Sequence, residues 1–392
     1  MIAAAGVHFF AMKPFPRFAC LSRQTALALV VACLTGGAHI ALAADAAPLL
    51  LVPEQWEFPG TDPGVFAWKD GETTAQRSSF QTATMLSKGE FENFSLDFEF
   101  RLERWCELIL ALHAPWNGAY TAGLEVLLSD SPGSAPTSQG PGALLGRVAP
   151  SAVTIRKNGE WNTASVRMEW PRFVMSINGT TVQDIDLSAH EDLKWSLRQG
   201  RIAFRDLLGW GFTLRNLHLT PLVGAGNEES LFNGRDLSGW KDVRPGKAKF
   251  RVADGTLIAE NGGGYIQHER LAQDFDLRLY YRTTPTANGG VFFRWLPDDS
   301  DRGNEIQILD VPETVMPSGS IYSIERADPA PIRPGEWNLL QIHVNGTEAR
   351  TRLNGHAVAA TNKLTKVWPG LITIQMHKEN SRIEFRDIYL AK

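Results

Sequence analysis

Glu305 and Gln307 stand two apart in the string Asn304-Glu305-Ile306-Gln307-Ile308, and Gln375 and His377 stand two apart in Ile374-Gln375-Met376-His377. Residues two apart in an extended strand share a face, so each polar pair projects to one side and the apolar residues between project to the other. By the same alternation Arg294 shares a face with Phe292, while Val291 and Phe293 take the opposite side. A carboxylate, an imidazole, a guanidinium and two amides on neighbouring strands can move a proton and steady a developing negative charge. Tyr322 would add a phenol. Asp310, five residues from Glu305, is out of phase and joins the face only if the strand ends or bulges first. Each residue also has a plainer reading: Glu305 and Arg294 as an outer-sheet salt bridge, Gln375 as a cross-strand amide, His377 as a solvent-facing strand end, Tyr322 as core.

The elements that must position these residues are strands. Apolar and polar residues alternate over short runs bounded by Gly, Asn, Asp and Pro, and helical periodicity is scarce. Asn178-Gly179 and Asn354-Gly355 each separate two alternating runs and read as tight hairpin turns, because both central positions of that turn need positive φ. The same chemistry accounts for the Asn-Gly-Thr sequons at Asn178 and Asn345. Many short antiparallel strands in units of this size imply a β-sandwich or jelly roll.

The chain contains an internal repeat. Gly159-Glu160-Trp161-Asn162 recurs as Gly335-Glu336-Trp337-Asn338, and Asn178-Gly179 recurs as Asn354-Gly355, at one shared offset of 176 residues. Phe94–Arg101 parallels Phe275–Arg282, and Phe212–Leu217 parallels Ile383–Ile388, in the same order. The boundary falls in the small, polar stretch 223–229, which gives domains at 50–222 and 229–392.

At 392 residues and a formal net charge of −4, the chain is long enough for two cores and carries no basic stripe of the kind a phosphate backbone requires, which excludes nucleic acid as a partner. Lys13, Arg17 and Arg23 precede an apolar run from Ala26 to Val31 and a small-residue site ending at Ala43, so residues 1–43 read as a secretory signal peptide. Val30-Val31-Ala32-Cys33 also fits a lipoprotein signal, in which Cys33 would carry a lipid anchor. Export to the periplasm or the extracellular space follows from either. No later apolar run approaches the roughly 20 residues of a transmembrane helix. Cys20 and Cys33 lie in the leader, leaving Cys106 beside an apolar run as a buried, inert thiol that has no internal disulfide partner.

From Leu231 onward the order of motifs resembles the 3-keto-disaccharide hydrolase family: Leu231-Phe232-Asn233-Gly234-Arg235-Asp236-Leu237-Ser238-Gly239-Trp240, Gly290-Val291-Phe292-Phe293-Arg294, Glu305-Ile306-Gln307-Ile308-Leu309-Asp310, Gly319-Ser320-Ile321-Tyr322 and Gly370 through His377. The resemblance implies an all-β architecture of two tandem concanavalin A-like jelly-roll domains and activity on glycosides oxidised to a ketone at carbon 3. The first copy is degenerate. Glu125 and Asp130 stand where Glu305 and Asp310 do, but Leu127 replaces Gln307, and Arg205 and Leu207 replace Gln375 and His377.

Ordinary glycoside hydrolysis uses two carboxylates, and Gln307 holds the in-phase place of the second. A 3-keto sugar offers another route, in which the ketone acidifies the proton on carbon 2 and the enolate expels the group at carbon 1. On this reading His377 or Glu305 is the base and Arg294 stabilises the enolate, while Gln307, Asp310, Tyr322 and Gln375 bind the sugar. The cofactor is left open, with a divalent metal such as calcium as the candidate. The Asp298–Asn304 loop has the oxygen-rich composition of a calcium loop, but its spacing fails the EF-hand pattern, and a polar hairpin loop is the simpler reading. The alternative function is a non-catalytic, lectin-like carbohydrate-binding protein of the envelope.

Overall fold

Alternation of apolar and polar side chains builds four antiparallel sheets, and the sheets pair into two sandwiches. The computed structural model describes residues 49–391, apart from 78–80, 225–227 and 245. The leader with Cys20 and Cys33 and the centre of the expected linker lie outside the described residues. Each sandwich has one eight-stranded and one five-stranded sheet, and the strand order in the second copy reproduces that in the first. The Phe94–Leu102 strand sits centrally in its large sheet, as Phe275–Thr283 does in the other.

Two separate apolar cores fill the sandwiches. Phe94, Phe100, Phe173, Phe204 and Phe212 are buried in the first, and Phe293, Ile306, Ile374 and Phe385 in the second. Cys106 is buried in the first core, and burial pushes its thiol pKa up, as an inert thiol requires.

The repeated motifs are physically coupled. Asn178 and Asn354 have φ of 51° and 48°, and Gly179 and Gly355 of 78° and 82°, as the tight hairpin demands. The amide of Asn178 donates to Asn162 Oδ1 at 2.8 Å, and that of Asn354 to Asn338 Oδ1 at 2.9 Å. The asparagine of Gly-Glu-Trp-Asn therefore clamps the hairpin that follows it. With its amide also given to the Thr154 carbonyl, Asn178 serves the turn.

The two sandwiches form one compact unit. Trp116 of the first lies 4.7 Å from Tyr280 and 5.9 Å from Trp337 of the second, and its indole N–H donates to Asp387 at 3.0 Å. Ala122 and Leu197 join Tyr280 and Leu339 in the same small apolar cluster.

Candidate functional site

The small sheet of the second sandwich carries the candidate site on its outer face. Its strands run in the order Trp240–Asp242, Gly264–Ala272, Gly370–Met376, Gly289–Trp295 and Asn304–Ile308. Ile306, Ile308, Val291, Ile374 and Ile266 point into the core. On the other side the ladder places Tyr265 opposite Gln375, Gln375 opposite Gly290, and Gly290 opposite Gln307, while Gln267, Thr373, Phe292 and Glu305 form the adjoining row. Sequence alternation thus brings Glu305, Gln307 and Gln375 together on one face.

Glu305 is the unusual member. A Cβ on Gly290 would lie 2.4 Å from Glu305 Oε1, so the carboxylate rests across a position kept open by the missing side chain. Among the described residues it makes no ion pair and no side-chain hydrogen bond. Burial pushes its pKa up to about 7, with the more distant Arg302 charge acting against the rise. A carboxylate half ionised at neutral pH is suited to taking a proton.

Its neighbours are an aromatic wall and a set of donors. Tyr265, Phe292 and Trp295 meet edge-on, with centroids 5.3 to 6.0 Å apart. The Tyr265 oxygen accepts from Gln375 Nε2 and from Arg302 Nη1, both at 3.0 Å, which leaves its own O–H to donate. Gln307 is 4% exposed and donates to Asn288 at 3.0 Å. Tyr322 is 48% exposed and stands beside Glu305, its N–H on the Glu305 carbonyl at 2.9 Å. His377 lies one residue past its strand, exposed at the rim, where its backbone N–H continues the ladder to Asn288.

Two expected members lie elsewhere. Arg294 does not share the face of Phe292: a bulge between Phe292 and Trp295 puts Arg294 at φ 59° and turns Trp295 to the site instead. The Arg294 guanidinium is fully buried, bonded to the carbonyls of Gln273, Gly346 and Lys366 and to Asp274, and it holds strand ends together. Asp310 accepts from Tyr281, Thr283 and Ser318, tying its strand end to the large sheet. The cation near Glu305 is Arg302. It sits in the Asp298–Asn304 loop, where alternation says nothing; Tyr265, by contrast, was readable as the in-phase partner of Gln267.

Within that loop, Asp298 accepts from Ser300, Asp299 from Arg244 and Trp295, and Asp301 from Lys366. Among the described residues no group of three or more His, Cys, Asp or Glu converges as metal donors. The loop carboxylates are committed to protein partners and do not fit a calcium loop.

The model of the 3-keto-alpha-glucoside-1,2-lyase-like domain matches the chain twice, over residues 52–219 and 227–391. The chain belongs to that family. No curated protein matches it. Among solved structures it is similar to a Parabacteroides distasonis ATCC 8503 protein assigned as a glycosyl hydrolase, with 19% identity over 43% of this chain and 94% of that one and a TM-score of 0.37. A second structure from that organism with the same assignment shows 24% identity over 43% and 84%, TM-score 0.34. The carbohydrate binding module CBM66 from Bacillus subtilis shows 13% over 41% and 99%, TM-score 0.33.

The two lyase-like domains differ at the carboxylate. In the first, Glu125 is ion-paired to Arg205 at 2.7 Å, with the two side chains 15% and 18% exposed, and the guanidinium lies 4.0 Å from the Tyr120 ring centroid. Tyr120 packs on an apolar patch of Leu86, Ala111, Ala114 and Ala203. The first lyase-like face is neutralised and covered, whereas the second presents a carboxylate with no such partner.

Proposed function

We propose that the second lyase-like domain cleaves glycosides bearing a ketone at carbon 3, with Glu305 as the base. The observation that carries this reading is the desolvated, unpaired Glu305 carboxylate lying over Gly290 among Tyr265, Gln375 and Arg302. Glu305 takes the proton from carbon 2. The electron pair moves into the ketone as an enolate, whose charge Arg302 offsets. Collapse of the enolate breaks the bond from carbon 1 to the glycosidic oxygen, which takes its proton from the Tyr265 hydroxyl; solvent restores that proton. The product is an unsaturated 3-keto sugar plus the released alcohol, and addition of water to the double bond completes a net hydrolysis. Gln307 and Gln375 orient sugar hydroxyls, and Tyr322 and His377 line the rim. The proposal includes export by the leader, to the periplasm or beyond, with cleavage after Ala43 or lipidation at Cys33; the mass of the mature chain separates these.

The test is incubation of the mature protein with a 3-keto-disaccharide and with its unoxidised parent, with and without chelator. Release of sugar from the keto form alone, lost in Glu305→Gln, supports the reading, and loss in chelator would add a divalent metal such as calcium. Binding of both sugars with cleavage of neither leaves the lectin-like alternative.

A further inference from the structure

We propose a second, non-catalytic carbohydrate site in the cleft between the two sandwiches, built by Gln341, Arg352, His343 and Asp276 of the second and Trp195 and Arg198 of the first. It is independent of the Glu305 reading, because it lies against the large sheet and not the small one. The cleft holds a cavity of about 340 Å³, at the small end of the range of about 300–1,000 Å³ typical of ligand pockets.

Its walls are fixed. Asp276 accepts from Arg198 at 2.6 Å through one oxygen and meets His343 Nδ1 at 2.7 Å through the other. His343 stands edge-on to Trp195, with centroids 4.3 Å apart. Gln341 Nε2 donates to the Trp195 carbonyl at 2.8 Å, which fixes its amide orientation and aligns the 191–198 segment over the sheet.

Among the described residues, two buried polar atoms of the residues lining this cleft make no hydrogen bond: the Gln341 carbonyl oxygen and the Arg352 Nε–H. These two residues are directly opposite in the ladder of the Asn338–Asn345 and Glu348–Leu353 strands, so the orphan acceptor and the orphan donor belong to one patch. An unmade hydrogen bond on a buried group costs about 1–3 kcal/mol. Such a pair is best answered by a group that accepts and donates at once. A hydroxyl does both; an anion offers nothing to the Gln341 oxygen, and a cation offers nothing to Arg352. The ionic groups lining the cavity balance, with Glu191, Asp192, Glu228, Asp276 and Asp328 against Lys194, Arg198, Arg278, Arg350 and Arg352. Balanced charge, an aromatic edge and paired donor and acceptor describe a neutral, polyhydroxylated ligand, one or two sugar units in size.

The experiment is calorimetric titration of the full chain with glucose, maltose and cellobiose, repeated on Gln341→Leu, Arg352→Lys and, as a control away from both faces, Lys88→Ala at an exposed position. The expected result is binding of at least one sugar that weakens tenfold or more in Gln341→Leu and in Arg352→Lys and is unchanged in Lys88→Ala. Crystals of the parent chain soaked in the same sugar, with density against Gln341 and Arg352, give the same answer should either variant fold poorly. Absence of binding to all three sugars, or binding that Gln341→Leu and Arg352→Lys leave unchanged, overturns the proposal.

Discussion

Glu305 pays for its reactivity in stability. Its folded pKa of about 7 lies above the ordinary carboxylate value of 4.5, so the native state holds the proton more tightly than the unfolded chain does. Stability attributable to this group is therefore full below about pH 4.5 and falls as pH rises through 7. Glu305→Gln removes that penalty: turnover of a 3-keto-disaccharide should drop at least a hundredfold, while the unfolding free energy at pH 8 should rise by about 1–3 kcal/mol and stay unchanged at pH 4. Denaturant melts at the two pH values check this. Because the base must be ionised, kcat/KM of the parent should rise about tenfold per pH unit below 7 and level off above it. The companion carboxylate in the first copy behaves differently. Arg205→Met would strand Glu125 and should cost about 1–3 kcal/mol with no change in turnover, read from thermal melts and initial rates.

At the scale of the strand, the site depends on what Gly290 omits. Gly290→Ala should preserve the fold, since the clash at 2.4 Å is with the free end of the Glu305 side chain, but it must displace the carboxylate; activity should fall tenfold or more with Tm shifted by only a few degrees. This is also where sequence reading divides. The face shared by Glu305, Gln307 and Gln375 was legible because strict period-two alternation persists through those strands. The place of Arg294 was not, because a single bulge residue at φ 59° resets the phase and nothing in Phe292-Phe293-Arg294-Trp295 announces it. Arg302 escaped because loops carry no periodicity. The hairpins were plain, as Asn-Gly has few other uses, and the asparagine clamp from Asn338 to Asn354 explains why two distant motifs kept one spacing.

For the whole molecule, duplication was visible in the offset of 176 residues, but the way the copies pack was not, since Trp116 and Trp337 read equally well as core. The Trp116 ring touches Tyr280 and Trp337, and its N–H reaches Asp387. Trp116→Ala should cost about 3 kcal/mol and split a single calorimetric transition into two, one for each sandwich.

The join between the copies is head to tail. The segment after the Glu107–Ala114 strand of the first unit lays Tyr120 over its own small sheet and presses Trp116 and Ala122 onto the outer side of the large sheet of the next. Its counterpart in the second unit is the Asp298–Asn304 loop, which brings Arg302 beside Tyr265. A heterologous contact of this kind uses a different surface on each of its two partners. One loop therefore has two uses in the same chain: in the first copy it makes the contact between the sandwiches, and in the second it sets a cation beside the Glu305 face.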